Sequence, residues 1–351
     1  MSFGPPYPPW TAVIGGFPNV QVDVPICTIF AVLYAVAGSS HFFLFLYNLR
    51  RHHIFIPSNA VAGFCLLRFI TNILRLVCVK EKTNISLALT AQIFLAAGII
   101  VLYIINLIFA QRILRASHPR LGWCTPLSIL FKIIYALSFL TVVMVITAIV
   151  QSFYTLDQNT RRIDRDIQLY GATYFLTVSF LPLVLGSYVV IMALMRDSCS
   201  LYSENNIDQF GAGSFRAKLI IVLFSGCLLC LSASFRAGTL WKKPREVFDP
   251  AWYSKKPAFY CFYFVIEIIV VYFYLAVRVD KRFHIPSGSS KARHYRGVGK
   301  GSSVSMSDAR ETERMSEEII EEVGQEDRKQ KGEEVSGDVE VKENRSSGVS
   351  V

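Results

Sequence analysis

Apolar residues along this chain gather into seven long runs, at 26–48, 59–79, 86–110, 127–150, 169–195, 219–240 and 258–279. An apolar run of about 18 residues or more reads as a membrane span, because about 20 residues of helix cross about 30 Å of hydrocarbon. A membrane β-barrel would alternate in shorter segments. The pattern predicts an all-α fold: a polytopic seven-transmembrane helix bundle over 26–286. It excludes a soluble globular enzyme. A short leader, 1–25, precedes the bundle; it is rich in proline (Pro5, Pro6, Pro8, Pro9) and is expected to be solvated and partly extended. The tail, 287–351, holds one aromatic residue, Tyr295, and many serines. It is too poor in apolar residues to bury a core and is expected to be disordered.

Charge sharpens this division. The whole chain carries a formal +10, but the acidic surplus lies in the tail and the basic surplus in the body. A basic membrane body implies lipid headgroups as partners; no nucleic-acid motif accompanies it, so nucleic acid is not expected. The first 25 residues lack Lys and Arg. No cleavable signal is therefore expected, and the first span should act as the targeting signal. Lys and Arg favour cytoplasmic segments. With the N-terminus outside, the inner segments hold Arg50 and Arg51; Arg112, Arg115 and Arg120; Arg196, Arg216 and Lys218; and Lys281, Arg282, Lys291, Arg293 and Arg296. The outer segments hold fewer, although the last, with Lys242, Lys243, Arg245, Lys255 and Lys256, runs the other way. The reading is N-terminus outside, C-terminus cytosolic, in the plasma membrane or another membrane of the secretory pathway. Asn84-Ile85-Ser86 is a glycosylation sequon in a segment placed outside.

Six charged residues lie inside the apolar runs: Arg68, Arg75, Lys132, Arg236, Glu267 and Arg278. A charge at mid-bilayer costs about 2.5–3.5 kcal/mol on insertion scales and needs a partner or water. Arg68 and Glu267 each fall about 14 Å into their spans, near the midplane. Arg68, Asn72 and Arg75 follow i, i+4, i+7 spacing and share a face. Tyr260, Tyr263, Glu267, Tyr274 and Arg278 form a stripe on the last span. Glu267 is the only acid within the runs, which makes it the natural partner of Arg68 or Arg236. The expected buried polar cluster is Arg68, Asn72, Arg75, Arg236, Tyr263 and Glu267. It serves either as a salt bridge that fixes helix packing or as a polar site for a ligand, an ion or a headgroup.

Outside the spans, Lys281, Arg282, Lys291, Arg293 and Arg296 stand among serines such as Ser287, Ser289 and Ser290. Basic residues beside an anionic leaflet are worth about 1 kcal/mol each, and phosphorylation opposes that attraction. This segment reads as a headgroup contact or a regulatory tether, or simply as a positive-inside flank. The cysteines form neither a disulfide framework nor a zinc pattern; Cys227 and Cys230 fall inside an apolar run, where thiols pack as small hydrophobes. His52 and His53 lack further ligands for a metal. No metal and no cofactor is expected.

Several stretches carry a family resemblance: NLRRHHIFIPS (48–58), GFCLLRFITNILR (63–75), ILRASHP (113–119), FGAGSFRAK (210–218), SFRAGT (234–239) and IEIIVVYFYLAVRVDKRFHIP (266–286). The chain resembles an uncharacterised fungal seven-transmembrane family often labelled family-C-like G-protein-coupled receptor. A weaker similarity is to the RTA-type fungal lipid-translocating exporters, through Arg236, Glu267, Asp280 and Pro286. The first resemblance implies a receptor-like fold, the second a transporter. Neither HExxH, GxSxG nor paired acids occur within the spans, so an enzyme is not expected. The leading expectation is a receptor-like sensor of a small apolar or amphipathic ligand, with the tail engaging a cytosolic partner. The alternative is a transporter or translocator of a lipid or amphipathic small molecule.

Overall fold

A computed structural model describes residues 4–8, 13–51, 54–81, 84–195, 210–245, 249, 251–285 and 295. Seven helices are long and apolar enough to cross a membrane: α1 (Val20–Arg50), α2 (Ile56–Lys80), α3 (Ile85–Ser117), α4 (Thr125–Tyr154), α5 (Gln158–Met195), α6 (Phe215–Trp241) and α7 (Lys256–Ala276). No strand occurs among the described residues. The chain is a multi-pass, all-α membrane protein. The tail beyond 295, the histidine pair and the serine-rich segment after Ile285 lie outside the described residues.

The helices exceed the apolar runs, and the excess has local causes. α1 begins at Val20 because Asn19 caps it: its side-chain oxygen accepts from Val22 N at 2.9 Å, and Asp23 reaches back to Asn19 N at 2.8 Å. This reciprocal arrangement satisfies helix-start amides that would otherwise be bare. α5 begins after Asp157, whose carboxylate accepts from the Asn159 and Thr160 amides and the Thr160 hydroxyl. At 38 residues α5 is about 57 Å long, well over the hydrocarbon thickness, so its polar first turns continue past the apolar run.

Two helices depart from regularity. α3 has a local irregularity at Ile99, between Ile85–Gly98 and Ile100–Ser117, where the Leu102 and Tyr103 amides both bond to Ile99 O while the backbone stays right-handed helical. α7 passes through a π turn at Cys261–Val265, where Ile266 N bonds to Cys261 O five residues back. Such a bulge turns the helix face. Tyr260 consequently points to α1, while Tyr263 and Glu267 point to α6 and α2.

α1 packs along α2 and touches α7; α5 packs against α3, α4 and α6. The surface is apolar where lipid would lie: Ile29, Val32, Val36 and Phe43 on α1 and Ile129, Ile133 and Leu140 on α4 are exposed, with Phe139 at 74%. Inside, Arg68, Glu267, Asp23, Asn72 and Asn106 are fully buried, because hydrocarbon cannot solvate them. The leader meets the bundle at several points. Tyr7 N bonds to Phe153 O at 2.8 Å and Gly15 N to Ser254 O at 2.9 Å, and Ile14 packs on the core. Gly15 has φ +84 with the Phe259 ring against its Cα, so a side chain there would collide with the ring at 2.7 Å. Gly15 is buried and Tyr7 and Ile14 are partly buried on the bundle, while Gly4, Pro5, Pro8 and Phe17 are exposed.

Candidate functional site

The polar interior forms layers from the end where α1 begins (the leader end) to the end where α7 finishes (the tail end). The central layer is a triad. Arg68 donates from Nε to Glu267 Oε2 at 2.5 Å and from Nη2 to Oε1 at 2.8 Å; Arg236 Nη2 donates to Oε1 at 2.7 Å. Arg68 and Glu267 are entirely inaccessible, and the Arg236 side chain is 12% exposed. Arg68 Nη1 also donates to Leu95 O at 3.1 Å, one turn before Ile99 in α3. The Arg236 guanidinium lies 3.8 Å over the Tyr263 ring, a favourable cation–π placement. One carboxylate thus faces two guanidiniums, leaving the triad one positive charge in surplus.

The leader-end layer centres on Asp23. Tyr260 Oη donates to its Oδ1 at 2.5 Å, Arg75 Nη2 to the same oxygen at 3.1 Å, and Lys256 Nζ to Oδ2. It joins α1, α2 and α7. On the tail-end side of the triad, the Ser225 hydroxyl donates to Asn106 Oδ1 at 2.8 Å, and Tyr274 Oη approaches the same oxygen at 3.4 Å. At the tail end, Arg278 grips Asp280 with Nε at 3.0 Å and Nη2 at 2.9 Å, while Asn48 Nδ2 donates at 3.1 Å. Burial alone would raise the Asp280 carboxyl; Arg278 and Asn48 outweigh it and hold the carboxyl below its ordinary value.

Four of the six expected cluster residues meet: Arg68, Arg236, Tyr263 and Glu267. Arg75 does not join them. It shares their face of α2 but lies two turns, about 10 Å, nearer the leader end, and pairs with Asp23. Asn72 turns back on its own helix, donating to Arg68 O at 2.8 Å, and its Oδ1 has no partner among the described residues. The expectation that Glu267 is the only acid in the spans is corrected by Asp23 in α1 and Asp164 in α5, both buried. The apolar runs begin after Asp23 and after Lys256, which is why hydropathy missed both. The signal available was the Asn19-x-x-x-Asp23 start ahead of Pro25. Of the expected headgroup residues, Arg282 donates Nε to Val277 O at 2.8 Å, and Lys281 is exposed. Lys291, Arg293 and Arg296 lie outside the described residues. Asn84 of the sequon caps α3, its Oδ1 accepting from Leu87 N at 3.2 Å.

A cavity of about 880 Å³ opens beside the triad toward the leader end. Arg236, Tyr263 and Tyr103 form its floor. Leu95, Ala96, Ile99, Val145, Ile149 and Phe175 supply apolar wall, with Gln92 and Gln168 among them. The first turns of α5 and the end of α6 bring Arg161, Arg162, Arg165, Lys242, Lys243 and Arg245 to its mouth, and Tyr7, Val13 and Ile14 of the leader border it. The lining contains no Asp or Glu among the described residues. Tyr103, 1% exposed, turns its hydroxyl toward Ser232 without closing a hydrogen bond. Among the described residues no three His, Cys, Asp or Glu converge as metal ligands.

Residues 215–284 match a family model described as a protein of unknown function (DUF3112). That stretch spans α6 and α7, and so includes Arg236, Glu267, Arg278 and Asp280. No curated protein and no solved structure matches the chain.

Proposed function

We propose that this membrane protein is a receptor-like sensor that binds a small amphipathic molecule in the cavity between α3, α4, α5, α6 and α7. The observation that carries this reading is the pairing of apolar walls with a charged floor. Ligand sites are typically concave, mostly apolar and provided with a few fixed polar groups, and about 300–1,000 Å³ in volume. The cavity has all of these features. Its floor includes Arg236, one member of the triad that ties α2, α6 and α7 together, so a ligand touching Arg236 bears on the pairing that sets those helices. The leader end faces outside, and the tail carries the response to a cytosolic partner at the plasma membrane.

The tail-end half is closed, which suits a sensor that passes no ligand through. There Asn106, Ser225 and Tyr274 close one layer, and the Phe109 and Phe283 rings stack at 4.3 Å below it. A translocator would need a second state open on that side.

The test is thermal stability of the full chain in phosphatidylcholine nanodiscs against a panel of amphipathic lipids and metabolites, with Ala172→Trp as the comparison. Ala172 lines the cavity, and an indole there occupies ligand space. A ligand that stabilises the wild type but not Ala172→Trp supports the reading. Equal stabilisation of both would place the ligand elsewhere and overturn it. Flux of the same ligand into sealed vesicles would favour the transporter.

A further inference from the structure

We propose that the cavity selects an amphipathic organic anion, a hydrocarbon body bearing one carboxylate or phosphate, whose acidic group seats on Arg236. This rests on reading the cavity as a ligand site.

The argument begins with charge balance at the floor. Glu267 is fully inaccessible and answers Arg68 with both oxygens. Arg236 receives only a share of one of those oxygens, at 2.7 Å. The surplus positive charge therefore belongs to Arg236, the triad member that lines the cavity. Its Nε is buried and has no hydrogen-bond partner among the described residues. A largely buried charge that is only partly compensated is costly, and a ligand that supplies the missing negative charge reduces that cost. Tyr103 adds a buried hydroxyl on the same floor. Guanidinium groups bind carboxylate and phosphate through paired hydrogen bonds, so either acid suits the site.

The mouth points the same way. Six basic residues ring it, and among the described residues no acid lines the cavity. Some are engaged: Arg165 Nη2 donates to Lys242 O at 2.9 Å, and Arg245 pairs with Asp249 at 3.0 Å. Their summed field still attracts anions and opposes cations. Lys242 lies six residues past Arg236 on the same chain path, about 9 Å by helical rise. Between mouth and floor the wall is largely apolar, including Ile99, Ile149 and Phe175. A simple inorganic anion would leave that wall bare; an organic body covers it.

The test compares dodecanoate, dodecyl phosphate, dodecanol and dodecyltrimethylammonium by calorimetric binding to the full chain in phosphatidylcholine nanodiscs. The variants are Arg236→Gln, Arg236→Lys and Lys242→Gln/Lys243→Gln. Arg236→Gln leaves Arg68 and Glu267 as a balanced pair, so the variant should fold, which its unliganded melting midpoint checks. The expected result is that both acids bind about tenfold or more tighter than the alcohol and the ammonium. Arg236→Gln should lose that preference, and Arg236→Lys should weaken it, since a point charge lacks the guanidinium fork. The double rim variant should lose affinity at low salt and match the wild type at high salt. If dodecanol binds as well as dodecanoate, the anion preference fails while the cavity remains a ligand site. If none binds, both readings fail. If Arg236→Gln, or Arg236→Lys should the first not fold, binds dodecanoate like the wild type, the acid does not sit on Arg236 and the proposal is overturned.

Discussion

Arg68 and Glu267, 199 residues apart in the chain, meet through two parallel hydrogen bonds of 2.5 and 2.8 Å in a site closed to solvent. Removing one member of a buried ion pair leaves an uncompensated charge, typically at a cost of about 3–5 kcal/mol. Glu267→Gln strands two guanidiniums, whereas Arg236→Gln leaves one balanced pair. The expected order of melting midpoints in nanodiscs is wild type, then Arg236→Gln, then Glu267→Gln well below. The reverse order would mean that Arg236 is not the surplus charge.

Asp23 holds α1 to α2 and α7 through Arg75, Lys256 and Tyr260. Asp23→Asn keeps the shape and removes the charge. It should cost about 3 kcal/mol or more, because Arg75 and Lys256 lose their common partner. Lys256→Met should cost less, since Arg75 and Asp23 then balance. Thermal unfolding of the two variants distinguishes a shared anchor from independent contacts.

Gly226 sits where α6 meets α3 and α5: a Cβ would lie 2.9 Å from Leu183 Cδ2 and 3.3 Å from Asn106 Nδ2. Gly226→Val should destabilise by about 1–3 kcal/mol through overpacking. Gly238, with nothing within 4 Å of the same position, is the contrast. Gly238→Ala should be neutral or gain about 0.5–1 kcal/mol from reduced backbone entropy.

Asp280 has a folded-state carboxyl held below its ordinary value of 3.8. A depressed acid contributes stability above its unfolded value and loses it as pH falls through the folded one. The wild type should therefore lose melting temperature relative to Asp280→Asn as pH drops below about 4, and the gap between them should be constant near neutrality. A gap that stays constant below that pH would rule out the linkage.

The proposed orientation puts the leader outside. An epitope tag before Met1 should be reached by antibody on intact cells, and one after Val351 only after permeabilisation. The converse pattern would invert the assignment and place the cavity mouth on the cytosolic side.

Seven spans and the all-helical class were legible in the chain because hydrocarbon imposes one requirement on every span: about 20 apolar residues with backbone groups satisfied internally. The encounter of Arg68 or Arg236 with Glu267 followed from the same requirement, since intramembrane charges seek partners. Helical spacing placed Arg75 on the right face but could not say which acid it meets, because Asp23 stands before the first apolar run and enters the bundle only through the Asn19 cap. Nor did the sequence distinguish one guanidinium on Glu267 from two. The packing of α3, α4, α5, α6 and α7, with α5 extending past its apolar run, places Arg236, Tyr103 and the basic mouth around one space. Hydropathy reads depth along a helix; which faces meet, and what room is left between them, is decided by the packing of helices distant in sequence.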